Sequence, residues 1–422
     1  MRSCQFALMV LAGAVLAGCG GNNNDSGTKI KYNSQVTFGD SLSDVGSYAV
    51  GTVAALKGGK FTINGDHTAT NPELTGKNWT EHMAAQFGLP VPCAAQTGLD
   101  GDAGQGFSVP VVNHAGCYGY AMGGSRVTNP VGPNHKLTGS ALGALTVPVV
   151  TQIVNHLAAA GGKFKGDEIV FVMAGGNDLL LQLGVLSAGA TAAGAAAGAT
   201  VFATSLITQL AAGATNPATA AQAIGFALNT EMARPGHTET TLVQAAVTAA
   251  AVQPGNAAVA SPAVYGPMVA KAQADATAAG AAAGAAYINA NSPSVVASMA
   301  TTGAELVAQI KTQIVTKGAN RVVVNNLPDV ASTPAGLSKD AATKGLINAM
   351  VDAFNAELST GLAGESKVLL VDVFAVSRDQ SINPAAYGLT NVTEVACDLS
   401  PAKNSLGSSL ACNGSNLKPG DV

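Results

Sequence analysis

The chain has 422 residues, of which 47% are hydrophobic, 11% charged and 5% aromatic, with a formal net charge of −4. Such a length allows two or three average domains, or one large α/β domain carrying an insertion, with ample apolar material for a core. Sparse and mildly acidic charge argues against a nucleic-acid-binding surface and singles out no particular partner.

Met1-Arg2 is a short positive start, and Phe6 to Leu16 is an apolar run too short to span a bilayer. It closes on Leu16-Ala17-Gly18-Cys19, which resembles a bacterial lipoprotein signal. That resemblance implies a signal peptide over residues 1–18, lipidation of Cys19 and membrane attachment through that anchor. Gly rather than Asp at position 20 favours the outer membrane of a Gram-negative cell; the alternative is an ordinary secretory signal. Residues 19–33 follow as a flexible tether, and no further membrane span is expected.

Of six cysteines, Cys4 belongs to the signal peptide and Cys19 is the lipid site, which leaves Cys93, Cys117, Cys397 and Cys412. An even number in an exported chain suggests two disulfides. Local pairing, Cys93 with Cys117 and Cys397 with Cys412, is the simplest of the three connectivities. There is no Cys-x-x-Cys and no His pair at helical spacing, so neither a metal site nor a cofactor is expected.

Residues 34–422 read as one α/β domain with an internal insertion. Gln35 to Phe38 is a β-prone run that ends in Gly39-Asp40-Ser41-Leu42, followed by helical potential around Tyr48 to Leu56. Residues 58–80 read as loop, Trp79 to Phe87 as a short helix, and Cys93 to Pro110 as a second Gly-rich loop. Asn113 to Met122 approaches the turn Gly123-Gly124-Ser125-Arg126. Thr146 to Ala160 has a helical apolar pattern, and Glu168 to Met173 is a near-continuous apolar run, as in a strand buried on both faces. It leads into Gly175-Gly176-Asn177-Asp178. Gly303 to Lys317 and Leu346 to Leu362 repeat the helical pattern, and Arg321 to Asn326 and Lys367 to Asp372 repeat the strand pattern. Such alternation predicts parallel strands joined by crossover helices, a three-layer α/β/α sandwich.

Chemistry in open parallel sheets gathers at the C-terminal ends of the strands. Ser41, Gly124, Asn177, Asn326 and Asp372 all fall at or just past such ends. A serine on a tight strand-to-helix turn suits a nucleophile, and the helix start supplies unpaired N–H groups for an oxyanion. Taken alone, Gly39 to Leu42 reads equally as a capped helix start, with Asp40 or Ser41 as N-cap. Residues 185–300 differ from the rest, being almost uncharged and dominated by Ala, Gly and Thr. They predict close-packed helices inserted after the Asn177 strand, either a lid-like subdomain or a purely structural elaboration.

Three blocks carry a family resemblance: Phe38-Gly39-Asp40-Ser41-Leu42-Ser43-Asp44, Tyr120-Ala121-Met122-Gly123-Gly124-Ser125-Arg126 and Gly175-Gly176-Asn177-Asp178. In that order, with Asn326-Leu327-Pro328-Asp329-Val330 beyond them, the chain resembles the GDSL-type esterases and lipases of the SGNH hydrolase superfamily, bacterial exported or outer-membrane type. The resemblance implies a flavodoxin-like sheet, hydrolysis of a small-molecule or lipid carboxylic ester, Ser41 as nucleophile, and Ser41, Gly124 and Asn177 as oxyanion donors. Register favours Gly124 over Gly123 for the second donor.

One element of the family pattern is missing. Relatives activate the serine with an Asp-x-x-His pair near the C-terminus, and this chain has none. Its histidines, His67, His82, His114, His135, His156 and His237, all precede the last strand and read as surface or structural residues. The expectation is therefore that the chain stops short of its catalytic Asp and His. The alternative is a catalytically silent surface lipoprotein of the same fold that binds glycan or lipid.

Overall fold

A computed structural model describes residues 30–65 and 76–418, so Cys19, residues 19–29 of its tether and His67 lie outside the described residues. The strands are β1 (Gln35–Gly39), β2 (Gln96–Asp100), β3 (Ser108–Asn113), β4 (Ile169–Met173), β5 (Val322–Asn325) and β6 (Val368–Val371). The main helices are α1 (Trp79–Gln86), α2 (Val149–Ala159), α3 (Gly176–Ala211), α4 (Pro217–Met232), α5 (Glu239–Ala251), α6 (Pro262–Gln309), α7 (Ala341–Leu362) and α8 (Val373–Ile382). The described residues divide into two compact units, one running to Gln182 and resuming at Ser294, the other Leu183–Pro293.

In the first unit β1, β4, β5 and β6 form a parallel sheet in that order. Every residue of β1 and β4 is buried, which is why β4 reads as an unbroken apolar run rather than an alternating one, while β1 buries Gln35 and Thr37 among its apolar residues, with Gln35 Nε2 donating to Thr80 O at 3.0 Å. Phe38 pairs with Val172 and Thr37 with Phe171, so Phe38 and Phe171 face opposite sides of the sheet. Phe38 meets His156 of α2, whereas Phe171 meets Trp79 of α1. Helices thus cover both faces, and the fold is an α/β sandwich with a helical insertion.

Beyond β1 the chain adds another parallel neighbour. Thr37 donates its N–H to Tyr118 O (3.0 Å), and Tyr120 donates back to Thr37 O (2.8 Å). On the far side of that segment Ala94 bridges Gly119, next to the Cys93–Cys117 disulfide. A second disulfide joins Cys397 to Cys412. Two such cross-links belong to an oxidising compartment, extracellular or periplasmic.

Three local readings of the sequence need revision. Cys93 to Pro110, read as loop, contains β2 and much of the antiparallel hairpin β2–β3. Its pattern is faint because the pairing slips at Gly98 and because β3 is largely exposed, so neither strand shows a core-facing alternation. The helix after the serine turn spans only Gly51–Ala55. The helix over residues 303–317 is the end of α6, followed by a wider π turn at Ile310–Val315.

The second unit has a core of its own. Leu206 and Leu210 of α3, Ile224 and Leu228 of α4, Ala246 of α5 and Ala272 of α6 pack together. Asn216 caps α4, with Pro217 at its first position, and Thr238 caps α5. The Ala/Gly near-repeats form an antiparallel seam between α3 and α6. A Cβ on Gly194 would lie 2.8 Å from Gly280 O, one on Gly198 3.2 Å from Ala276 O, and one on Gly284 3.3 Å from Ala190 O. The partners advance by four on one helix while retreating by four on the other, so small residues stack where the backbones come closest. By length and apolar composition α3 could also cross a bilayer, which its many small residues conceal in a residue-by-residue reading.

Candidate active site

Gly39 closes β1 with φ +153°, and a Cβ there would lie 2.2 Å from Met173 O on β4. Only glycine lets the chain turn away from the sheet at this point. Gln152 of α2 clasps the turn: its Oε1 accepts the Gly39 N–H (2.9 Å), and its Nε2 donates to Gly39 O (2.8 Å) and Ser125 Oγ (3.1 Å). Asp40 caps the short 3-10 turn Ser41–Ser43 by accepting the Leu42 N–H at 3.1 Å. Ser41 is half-buried, and neither its hydroxyl nor its N–H has a hydrogen-bond acceptor or donor partner among the described residues.

The Gly123-Gly124 turn is docked onto the serine turn from the neighbouring segment. Met122 donates its N–H to Gly39 O at 3.1 Å. Gly123 donates its N–H to Asp44 Oδ2 (2.8 Å), and its carbonyl accepts the Tyr48 hydroxyl (2.7 Å). Gly124 has φ +80°, and a Cβ would fall 2.6 Å from both Pro133 O and Thr146 Cγ2. Gly124 is buried, yet its N–H has no acceptor among the described residues. The two glycines therefore differ: the Gly123 N–H is taken by Asp44, and that of Gly124 is free.

The third block lies in the first turn of α3, directly after β4. Asn177 is buried, and its Nδ2 donates to Ser125 O at 2.8 Å, which leaves the second N–H of the amide available. Asp178 locks the same pair of turns, with Oδ1 on Arg126 Nε (2.8 Å) and Oδ2 on the Val127 N–H (3.0 Å). Ser41, Gly124 and Asn177 are thereby drawn together at the ends of adjacent parallel segments.

Three carboxyls support this junction. Burial pushes Asp40 up to about 7, with the Asp178 and Asp44 charges acting in the same direction against the Leu42 N–H bond. Burial likewise raises Asp44, although four donors to its oxygens oppose the shift. Asp178 is also raised by burial, against the pull of Arg126.

Asn326 and Asp372 do not join this cluster. Asn326 Nδ2 donates to Asp372 Oδ1 (2.9 Å), Asn326 Oδ1 accepts the Phe374 N–H (3.0 Å), and Asp372 caps α8 through the Ala375 N–H (3.1 Å). Their strand-end polar groups are consumed in fastening β5, β6 and α8. No described histidine bonds to Ser41. His114 Nε2 bonds Thr97 Oγ1 (2.8 Å), His135 accepts the Leu137 N–H (3.1 Å), and His237 Nδ1 bonds Arg234 O (3.0 Å). His82 is held below its ordinary pKa by partial burial and by Lys77. His156 is buried among aromatic rings. Among the described residues no group of three or more His, Cys, Asp or Glu side chains could hold a metal ion.

Gln152 is the site residue that sequence reading misses. It shares the buried face of its helix with Val149, Ile153, Leu157 and one other polar residue, His156, and that polarity among apolar neighbours is the one signal it leaves. Compared with protein-family models and with characterised proteins, the chain finds no match.

Proposed function

We propose that the protein is an exported serine esterase or lipase of the GDSL type, in the SGNH hydrolase superfamily. The observation that carries this reading is a free serine hydroxyl beside unspent donors. Ser41 Oγ, the Ser41 and Gly124 N–H groups and the second N–H of Asn177 have no partner in a site where almost every other polar group is bonded. Such a set matches the needs of acyl transfer. Ser41 Oγ attacks the ester carbonyl and gives its proton to a base, and the three donors hold the resulting oxyanion. The alcohol then leaves with a proton, and water hydrolyses the acyl-Ser41 ester. One donor of this kind contributes ~3–4 kcal/mol to transition-state stabilisation.

In this reading the base is an Asp-oriented His outside the described residues, since none of the described histidines bonds to Ser41. The same observation favours a second reading, a surface lipoprotein of this fold that binds glycan or lipid without catalysis. Incubation with p-nitrophenyl butyrate plus imidazole as an external base separates the two. The esterase reading expects slow Ser41-dependent turnover and a butyryl adduct on the Ser41 peptide, both lost in Ser41→Ala. Absence of adduct and turnover, with retained lipid or glycan binding, supports the silent protein. Attachment of the chain to the outer membrane through Cys19 belongs to the same proposal. Loss of labelled palmitate in Cys19→Ser is its test.

A further inference from the structure

At the other end of the same strands lies a cavity of about 170 Å³, lined by Ser34, Val36, Tyr118, His156, Lys165 and Glu168 among others. Ser34 precedes β1 and Glu168 precedes β4, whereas Ser41 follows β1, so the cavity is separate from the serine site. Two of its lining residues are buried with polar atoms that have no protein partner among the described residues. His156 is 3% exposed, and neither ring nitrogen has a hydrogen-bond partner among the described residues. Glu168 is 2% exposed; its Oε1 accepts the Lys165 N–H at 2.8 Å, while Oε2 has no partner. An unpaired buried polar group costs about 1–3 kcal/mol, and a charged one more. Lys165 is exposed at the rim, with Nζ 5.8 Å from the centre of the Tyr118 ring. Burial, reinforced by the Lys165 charge, lowers His156 to about 4, so at neutral pH its ring carries one N–H and one lone pair.

We propose that this cavity binds a small zwitterion of amino-acid size, its ammonium group facing Glu168, its carboxylate facing Lys165, and His156 hydrogen-bonded to it. The chemistry of the lining selects that class. A simple anion would meet the Glu168 carboxylate, and a simple cation would meet the Lys165 ammonium. An apolar guest would leave Glu168 Oε2 and both His156 nitrogens unpaired. The volume corresponds to roughly five or six waters at about 30 Å³ each, enough for a handful of non-hydrogen atoms and too little for a long acyl chain.

Calorimetric titration of the whole protein with glycine and L-serine tests this, with acetate and ethanolamine as half-ligands. The expected result is saturable one-site binding of a zwitterion and at least tenfold weaker binding of each half-ligand. Lys165→Met, at an exposed position, is expected to weaken zwitterion binding at least tenfold without altering the fold, and Glu168→Gln to do the same. Three results would each overturn the proposal: no binding of either amino acid at millimolar concentration, acetate or ethanolamine binding as well as glycine, or unchanged affinity in Lys165→Met. The first would mean that the cavity holds water alone.

Discussion

Asp44 Oδ2 accepts the Gly123 N–H at 2.8 Å, and Asp44 Oδ1 accepts the N–H groups of Gly46 and Ser47 at the same distance. One buried carboxylate thus fastens the serine turn to the glycine turn across 79 positions of sequence. It also commits the Gly123 N–H and leaves that of Gly124 free, which is the arrangement an oxyanion donor at Gly124 requires.

Replacing Asp44 should therefore act on stability first. Asp44→Ala strands three buried N–H groups, and a cost of about 3 kcal/mol or more follows. Asp44→Asn keeps one acceptor for the Gly46 and Ser47 side but turns a donor toward Gly123, at a cost of about 2 kcal/mol. Urea denaturation of both variants measures this. A loss under about 1 kcal/mol for the alanine variant would mean that the carboxylate does not organise the junction.

Glycine position 39 offers a sharper contrast. A Cβ there meets Met173 O at 2.2 Å, whereas Gly161, at φ +75°, has nothing within 4 Å. Gly161→Ala should cost about 1–2 kcal/mol, the left-handed penalty alone. Gly39→Ala adds displacement of β4 and should exceed about 4 kcal/mol or prevent folding. Equal losses in thermal unfolding would remove the close approach as the reason for glycine at 39.

The raised carboxyls make stability depend on pH with a definite sign. An unfolded Asp40 releases its proton near its ordinary value of 3.8, and the folded one at about 7. Between those values the folded state binds more protons, so stability falls as pH rises. The contribution is fully present below about pH 4 and gone above about pH 7, changing by up to about 1.4 kcal/mol per pH unit in the window. Burial of Asp44 and Asp178 acts in the same direction. Asp40→Asn retains an acceptor for the Leu42 N–H and does not titrate. Its stability relative to the parent should improve steadily from about pH 4 to about pH 7. A constant difference across that range would contradict the raised value.

Much of this architecture is legible in the sequence, for reasons that differ by element. β4 is buried on both faces, so its apolar run needs no periodicity to be read, and β1, buried alike, is marked by Val36 and Phe38 before its closing glycine. Their ends are marked by Gly39 and Gly175, both at positive φ, and the serine and asparagine blocks follow at once. Asn326 and Asp372 carry the same strand-end signature, and only the fold reveals that they bond to each other. The β2–β3 hairpin and Gln152 leave weak traces, because an exposed, slipped pairing and a single buried amide both depend on partners distant in the chain.

The Ala/Gly seam of the second unit makes the last prediction, because two glycines on one helix should respond with opposite signs. Gly184 of α3 has nothing within 4 Å of a would-be Cβ, while Gly194 would place one 2.8 Å from Gly280 O. Gly184→Ala gains helix propensity and should stabilise by about 0.5–1 kcal/mol. Gly194→Ala gains the same propensity but must push α3 from α6, and overpacking of this kind costs about 1–3 kcal/mol. The net effect is destabilising, read as a lower unfolding temperature in the full chain. Were both variants stabilised, the two helices could not approach through Gly194 and Gly280, and the near-repeats would reflect helix-forming composition alone.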